Sequence, residues 1–105
     1  MYELSKAAVR DLDDILDYTL NKHDPARAET YFAGLKAKFE LLADRPLLSR
    51  ERNEFTPSVH IHHHAYHLIV YTVQDDGGIF VVRVLHERMD VEQHLHLKTD
   101  IKDRY

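Results

Sequence analysis

The sequence YHLIVYTVQDDGGIFVVRVLHERMD, residues 66–90, decides the fold of this chain. Residues 68–73 alternate in side-chain direction, and this period of two is typical of a β-strand. Residues 75–78 read Asp-Asp-Gly-Gly, where glycine supplies the positive φ that a tight hairpin turn requires. Residues 80–86 are apolar at nearly every position, which predicts a central strand covered on both faces. The stretch therefore predicts a long β-hairpin with a charged exit.

A third strand is predicted immediately before this hairpin. Residues 59–64 read VHIHHH and keep the same period of two. On this pattern one face carries Val59, Ile61 and His63, and the other carries His60, His62 and His64. The C-terminal half of the chain thus predicts three consecutive antiparallel strands.

The N-terminal half predicts a short strand and a helix. Residues 2–4 are a strand candidate, and the Ser5 hydroxyl is suited to cap the helix that follows. Apolar residues at helical spacing are Ala8, Leu12, Ile15 and Leu16, with Thr19 continuing the stripe. The other side carries Asp11, Asp13, Asp14 and Asp17, which we expect to form a solvent-exposed acidic face.

A second helix is predicted from Asp24-Pro25 onward. Asp24 suits the N-cap, and Pro25 suits the first helical position because its missing N–H would have no partner there. Pro46 ends the helix, since the residue before a proline resists the α conformation. The short link between the two helices predicts an antiparallel helical hairpin. Its apolar stripe contains Ala28, Tyr31, Phe32, Leu35, Phe39, Leu42 and Ala43, so the aromatic residues are expected in the core rather than on a base-stacking surface.

The predicted order is β-α-α-β-β-β in one domain that spans residues 1–105. Helices segregated to one face of a mainly antiparallel sheet make a two-layer α+β domain. A short C-terminal helix is predicted after Asp90, which suits its N-cap, and its apolar residues would be Val91, Leu95 and Leu97.

Composition narrows the classes of function. The 105 residues contain no cysteine and no apolar run near the ~20 residues that a membrane helix needs. The N-terminus lacks the basic start and apolar stretch of a signal peptide, so the cytoplasm is the expected location. A net charge of −4 argues against a protein whose main task is to bind nucleic acid. The nine histidines would reverse the sign of that charge in mild acid if all were protonated.

The chain resembles the ParE-type toxins of bacterial type II toxin–antitoxin systems, within the RelE/ParE superfamily. The resemblance covers nearly the whole chain and rests on the order and spacing of several segments rather than on one motif. These segments are residues 2–8, 11–15, 28–39 and 42–50, and most strongly His67-Leu68-Ile69-Val70-Tyr71 and Val82-Arg83-Val84-Leu85-His86-Glu87-Arg88-Met89-Asp90.

The resemblance implies a small toxin that a cognate antitoxin neutralises. The antitoxin would be ParD-like, with a ribbon-helix-helix N-terminus, and would lay a helix or extended segment across the helical hairpin and the sheet. ParE toxins inhibit DNA gyrase by trapping it on cleaved DNA, without catalytic residues or a cofactor of their own. The RelE branch instead cuts messenger RNA on the ribosome, and this ribonuclease activity is the alternative function. A relic that only binds its antitoxin is a third reading. No membrane partner and no direct sequence-specific binding of nucleic acid is implied.

The chain departs from the family where the second predicted strand, residues 59–64, begins. Many relatives carry a glycine and an arginine there, whereas residues 57–64 read Pro-Ser-Val-His-Ile-His-His-His. Imidazoles in place of a permanently charged guanidinium weaken any role that needs a fixed positive charge at neutral pH. We therefore expect target contacts that differ from those of relatives.

The histidines of this strand invite a metal, with His60, His62 and His64 as the candidate ligands. Histidines at alternate positions share a face and can chelate one ion. A metal site also needs further ligands and partners that orient them, and the nearby sequence supplies only more histidine. We expect no metal site and interpret the cluster as a polar sheet edge, with a partner-binding or pH-sensitive surface as the other reading.

The target-facing surface is expected on the last strand and residues 88–105. The candidate target contacts are Arg83, Arg88, Asp90, His94, Lys98 and Arg104, while the sequence does not indicate the antitoxin-binding residues. If the protein is a ribonuclease, the candidate catalytic residues are Arg83, His86 and Arg88, because an imidazole beside a guanidinium suits acid–base chemistry at phosphorus. On a regular strand, however, Arg83 and His86 face opposite sides, and no glycine marks a bulge that would change this. A structural hydrogen-bonding role is therefore expected for His86-Glu87-Arg88.

Overall fold

Five strands and two long helices make up the fold in the computed structural model, which describes all 105 residues. The strands are β1 (Tyr2–Leu4), β2 (Glu51–Arg52), β3 (Val59–His64), β4 (His67–Val73) and β5 (Ile79–His86). The helices are α1 (Lys6–Lys22) and α2 (Pro25–Asp44), followed near the C-terminus by the single turns α3 (Val91–His94) and α4 (Leu97–Asp100). A 3₁₀ turn covers Pro46–Leu48. The predicted α+β class and the order of its main elements are confirmed.

The strands form one sheet in the order β1-β5-β4-β3-β2. All neighbours are antiparallel except β1 and β5, which run parallel. The two-residue strand β2 lies within a segment that the sequence predicts to be irregular, and it pairs with the start of β3. Strand β5 is central along its first half, because β1 covers its outer edge from Ile79 to Val81.

Both helix starts form as predicted. Ser5 is fully buried, and its hydroxyl accepts the N–H of Ala8 at 2.9 Å while it donates to the carbonyl of Val82 at 2.6 Å. Asp24 accepts the N–H of Arg27 at 2.8 Å, and α2 ends just before Pro46. The first cap therefore joins the start of α1 to the central strand, whereas the second lies in solvent.

Apolar side chains cover both faces of the sheet. The face under the helical hairpin buries Ala8, Leu35, Phe39, Leu42, Ala43, Ile69, Tyr71, Ile79, Val81 and Val84. The opposite face buries Val59, Val70, Phe80, Val82, Leu85 and Leu97. Because β5 contributes to both clusters, its predicted burial on both sides is confirmed.

The C-terminal segment provides the cover of the second face. Asp90 caps α3 as predicted, with its carboxylate accepting the N–H of Glu92 at 3.1 Å. The expected single helix is instead two turns, because the backbone of Leu95 is extended and re-aims the chain so that Leu97 packs on the sheet. The end of the chain returns to the N-terminus, where the N–H of Tyr105 donates to the carbonyl of Leu4 at 3.0 Å.

A β-bulge interrupts the pairing of β4 with β5. Val70 pairs with Arg83 but Tyr71 pairs with Val81, which leaves Val82 as the extra residue. The expectation of a regular strand, based on the absence of glycine, is wrong here, because a bulge residue near the right-handed helical conformation needs no glycine. Arg83 and His86 still lie on opposite faces, since Arg83 pairs with Val70 and His86 pairs with His67.

None of the helices combines the length and the apolar composition that are needed to span a membrane.

Candidate binding surfaces: the arginine clamp and the histidine cleft

Arg83 is the centre of an ion-pair cluster at the outer edge of β5. Its guanidinium donates two hydrogen bonds to the carboxylate of Asp11, at 2.7 and 2.9 Å, and a third to the carbonyl of His94 at 2.7 Å. The side chains of Arg83 and Asp11 are only 17% and 13% exposed. Because the pair is bidentate and largely buried, we expect it to stabilise the fold more than an ordinary surface salt bridge does. We call Arg83, Asp11 and Asp100 the arginine clamp.

Asp11 does not belong to a solvent-exposed acidic face, which corrects the prediction for this residue. Strand β1 covers the edge of β5 only as far as Val81, so the N–H of Val84 has no neighbouring strand. Asp11 on α1 takes the place of that strand and accepts the N–H of Val84 at 2.9 Å. Asp13, Asp14 and Asp17 are exposed as predicted.

The clamp also holds the C-terminal segment against the sheet. Asp100 is buried, its carboxylate lies 3.8 Å from the Arg83 guanidinium, and it accepts the N–H of His96 at 3.2 Å. The hydrogen bonds to Asp11 raise the pKa of Arg83 above its usual value, against the opposing effect of burial, so the guanidinium stays charged. One permanent cation thus connects α1, the central strand and the final turns.

The six predicted target contacts do not form one cluster. Arg83 is enclosed in the clamp, whereas Arg88, Asp90 and Lys98 are exposed and His94 is half-buried. Arg104 lies over the ring of Phe80 at 4.5 Å and pairs with Glu3. Phe80 lies near the start of β5 and Arg88 lies beyond its end at His86, and at about 3.3 Å per residue the strand from Phe80 to His86 is about 20 Å long. A target would therefore meet an extended surface rather than a pocket.

The candidate catalytic residues are also separated. Arg83 and His86 face opposite sides of the sheet, and three of the N–H donors of Arg83 are bonded to Asp11 and the carbonyl of His94. The imidazole of His86 accepts the backbone N–H of Arg88 at Nδ1, at 3.1 Å. His86 and Arg88 are thus linked through the backbone of a turn and not through the Arg88 guanidinium.

The candidate metal ligands face the helical layer and do not converge. The Nδ1 atom of His60 lies 2.7 Å from the carbonyl of Ser49, and its ring stacks on Tyr71. His62 bonds through Nδ1 to the Ser49 hydroxyl at 2.7 Å, while His64 lies near Gly34 of α2. No three histidine, aspartate or glutamate side chains are placed to hold a metal ion. The interpretation as a polar sheet edge is wrong only for His60, which is buried and whose edge β2 covers, because β2 pairs with Val59 and His60 alone. His62 and His64 lie beyond β2 on the edge strand, with their imidazoles toward Ser49 and α2.

Three histidines form a row across β3, β4 and β5. His64 pairs with His67, and His67 pairs with His86, so the three lie side by side at the end of the sheet. Nδ1 of His67 lies 2.5 Å from the hydroxyl of Tyr31 on α2. Burial lowers the pKa of His67 to about 4, with a further contribution from the neighbouring imidazoles. Burial and Lys38 likewise lower the pKa values of His62 and His64.

This row forms one wall of a cleft of about 540 Å³ between the helical hairpin and the β3–β4 turn. We call it the histidine cleft. The sequence did not indicate it, because its residues come from five separate helices and strands and the loops between them, and only the folded register brings them together. Its lining consists of Tyr18, Thr19, His23, Arg27, Thr30, Tyr31, Gly34, His64, Ala65, Tyr66, His67 and His86.

Comparison with known proteins identifies relatives along most of the chain. A family model described as the ParE toxin of the type II toxin-antitoxin system parDE matches residues 2–91. Toxin ParE1 of Mycobacterium tuberculosis, from two strains, is 36% identical over 94 residues, which is 90% of this chain and 96% of the relative. Toxin ParE1 of Caulobacter vibrioides is 29% identical over 94 residues, with the same 90% and 96% coverage. The matched range of the family ends before His94, Lys98 and Arg104.

Proposed function

The chain belongs to the ParE family of toxins from type II toxin–antitoxin systems, and from that premise we propose that it arrests growth by binding DNA gyrase. Membership of the family implies an antitoxin partner, which we propose to be a ParD-like protein with a ribbon-helix-helix domain. Both partners would place the action of the toxin in the bacterial cytoplasm. No cofactor and no direct sequence-specific contact with nucleic acid is part of the proposal.

One observation carries the choice of binding over bond cleavage. Arg83, the guanidinium that a ribonuclease reading requires, has hydrogen bonds to Asp11 and to the carbonyl of His94 and is 17% exposed. A residue that stabilises charge on phosphorus must present free donors to the substrate. Withdrawing Arg83 to do so would leave the Asp11 carboxylate half-buried without its cation, which is a costly state.

The proposed gyrase-facing surface is the C-terminal segment, residues 88–105, together with the outer edge of β5 around Arg83. The clamp holds this segment through His94 and Asp100, so its exposed side chains are presented from a fixed backbone. Arg88 and Lys98 are exposed and form no salt bridge, which leaves their charges available to a partner. Asp90, His94 and Arg104 complete the proposed contact set.

The antitoxin is proposed to lay an amphipathic helix along α1. Leu16 and Leu20 are one turn apart on this helix and are 37% and 45% exposed, which is unusual for leucines of an amphipathic helix. Asp13 and Asp17 lie one turn before them and would favour basic residues beside the apolar stripe of the antitoxin. This arrangement is the helix-in-groove mode of peptide recognition.

Purified protein tests the proposal in a gyrase supercoiling assay. We expect inhibition with accumulation of cleaved DNA, and recovery when the antitoxin is added. Arg88→Glu and Lys98→Glu should each weaken inhibition by about tenfold, because a reversed charge opposes the partner that the native charge attracts. Lys36→Glu, an exposed charge reversal on α2, is the matched control and should inhibit like the native protein. Unimpaired supercoiling at large molar excess of toxin would exclude gyrase as the target.

The alternative, a ribosome-dependent endoribonuclease, has one observation in its favour. His86 shares the histidine cleft with His67 and Tyr31, a group that includes both imidazole and phenol. This alternative predicts that loss of the His86 imidazole abolishes toxicity while antitoxin binding persists, since a general acid–base contributes about 10²–10⁴ in rate. The relic reading predicts no growth arrest when the protein is expressed without its antitoxin.

A further inference from the structure

We propose that the histidine cleft binds the phosphate group of a nucleotide-sized ligand, at a site separate from the gyrase-facing segment. The cleft opens between the tip of the helical hairpin at His23 and the β3–β4 turn at Ala65 and Tyr66. Its volume of about 540 Å³ lies within the range of about 300–1,000 Å³ that small-molecule sites occupy.

The hydrogen bond between His86 and Arg88 determines which nitrogen of His86 is available. A backbone N–H can only donate, so Nδ1 of His86 must accept from Arg88, at 3.1 Å. In a neutral imidazole the other nitrogen then carries the proton. His86 therefore contributes a fixed Nε2–H donor to the lining of the cleft. A nitrogen that carries a proton has no lone pair for a metal, so this arrangement favours an oxyanion over a metal ion.

His67 lies beside His86 in the wall of the cleft. The hydroxyl of Tyr31 lies 2.5 Å from Nδ1 of His67, and burial raises the pKa of this phenol, which therefore stays protonated. His67, whose pKa is about 4, is neutral at pH 7, so one of its ring nitrogens donates and the other accepts. The rings of His67 and His86 lie in a T-shaped arrangement with 5.5 Å between their centroids, so both imidazoles line the cleft next to the Nε2–H of His86.

The formal charges around the cleft favour an anion. Arg27 lines the cleft and forms no salt bridge; its guanidinium lies 3.1 Å from Nδ1 of His23. Glu87, the acidic residue that acts on both Tyr31 and His67, is held by His63 Nε2 at 3.0 Å on the other side of the strand ends. A guanidinium together with N–H donors is the usual chemistry of phosphate recognition.

Aromatic side chains at the rim supply the second half of the site. Tyr18 on α1 and Tyr66 in the β-turn are 64% and 65% exposed, and both line the cleft. Exposed tyrosines beside cationic donors provide stacking surfaces for a nucleobase. We therefore expect a nucleoside monophosphate, free or as the 5′ end of an RNA, rather than inorganic phosphate alone.

Titration of the full-length protein with AMP, adenosine and inorganic phosphate, followed by NMR and calorimetry, tests the site. We expect AMP to bind with a Kd of about 1 mM or tighter, to shift signals of His67, His86 and Tyr31, and to bind at least tenfold more tightly than adenosine. Equal binding of adenosine and AMP, or no AMP binding, would overturn the proposal. Inorganic phosphate binding as tightly as AMP would exclude the nucleoside part.

Two substitutions locate the binding within the cleft. His86→Asn places an amide oxygen near the position of Nδ1, so it keeps an acceptor for the Arg88 N–H but removes the Nε2–H donor. We expect this variant to keep its circular dichroism spectrum and to bind AMP about tenfold more weakly, as does Arg27→Ala. Lys36→Ala, outside the cleft on the same helix as Arg27, is the matched control. Unchanged AMP affinity in both cleft variants would contradict the assignment.

The source of the phosphate is distinguished by a 5′-phosphorylated trinucleotide and its unphosphorylated form. Tighter binding of the phosphorylated RNA than of AMP would identify an RNA end as the ligand. Tighter binding of AMP would identify the free nucleotide. Equal binding of the two trinucleotides, with or without the phosphate, would overturn recognition of the phosphate group.

Discussion

The arginine clamp and the histidine cleft both use side chains of β5, only three residues apart in the chain, yet they use charge in opposite ways. In the clamp, Arg83 carries a permanent charge that carboxylates and a carbonyl satisfy away from solvent. In the cleft, His67 and His86 lie beside open space and pair mainly with neutral groups. The comparison indicates that a fixed charge holds the layers together, while the imidazoles, which can change protonation, line a cleft.

The largest effect is expected from breaking the clamp. Asp11→Ala leaves the Arg83 guanidinium half-buried without its carboxylate and leaves the N–H of Val84 without an acceptor. We expect the free energy of unfolding to fall by about 3 kcal/mol, as measured by urea denaturation. Asp13→Ala, an exposed acid on the same helix, is the control and should change stability by less than about 0.5 kcal/mol. Equal stability of the two variants would show that the clamp does not join the layers.

Arg83→Lys separates the charge of the clamp from its geometry. Lysine keeps the positive charge but cannot bridge both oxygens of Asp11 and the carbonyl of His94 at once. We expect a loss of about 2 kcal/mol by the same denaturation measurement, smaller than that of Asp11→Ala. Hydrogen exchange should also show faster opening of residues 94–100, because the substitution releases their anchor. Native stability with lysine would mean that charge alone holds the segment.

Lower pH should reduce the stability of the folded protein through His67 in the cleft, while Arg83 in the clamp keeps its charge. The pKa of His67 falls from 6.5 in the unfolded chain to about 4 in the folded protein. The folded state therefore binds fewer protons than the unfolded state between these values. The stability that neutral His67 contributes is complete above pH 6.5, declines as the pH falls, and is lost below about pH 4. The lowered pKa values of His62 and His64 act in the same direction.

His67→Gln isolates this contribution from the titration of carboxylates. We expect the variant to lose less Tm than the native protein between pH 7 and pH 4, because glutamine does not titrate. Scanning calorimetry at intervals across this range measures the difference. Parallel declines of the two proteins would show that His67 does not contribute to acid destabilisation.

The smallest effect is expected at Gly34, on the wall of the cleft. A Cβ at this position would lie 3.4 Å from Nε2 of His64. This contact is close, but a small shift of the imidazole can accommodate it. Because glycine in a helix is less stable than alanine by about 0.5–1 kcal/mol, Gly34→Ala should stabilise the protein by about 0.5 kcal/mol. Ala33→Gly, at the exposed neighbouring position, should destabilise by about the opposite amount. A loss of stability in Gly34→Ala would show that the wall at His64 cannot adjust.

The main elements could be predicted from sequence because local chemistry specifies them. Ser5 and Asp24 are caps that bind N–H groups three residues ahead, and the alternation in residues 59–64 sets the faces of a strand. The two sites are different, because they depend on partners far apart in the chain. Asp11 has the same local sequence pattern as Asp13. Its carboxylate accepts the N–H of Val84 only because β1 ends before it reaches that part of β5.

The bulge and the cleft illustrate the same limit. A valine bulge carries no local signal, since valine fits regular strands equally well. The row of His64, His67 and His86 depends on the registers of two strand pairs, which no single segment encodes. The family resemblance predicts the toxin class, but it does not distinguish a buried structural arginine from one that contacts a target.

Gyrase supercoiling and cleavage of ribosome-bound messenger RNA, measured side by side with the native protein and His86→Asn, test the central claim most directly. We expect both proteins to stop supercoiling and leave cleaved DNA, with the messenger RNA intact, because inhibition by binding does not need the His86 imidazole. Unaffected supercoiling at large excess, together with messenger RNA cleavage that His86→Asn abolishes, would contradict the claim.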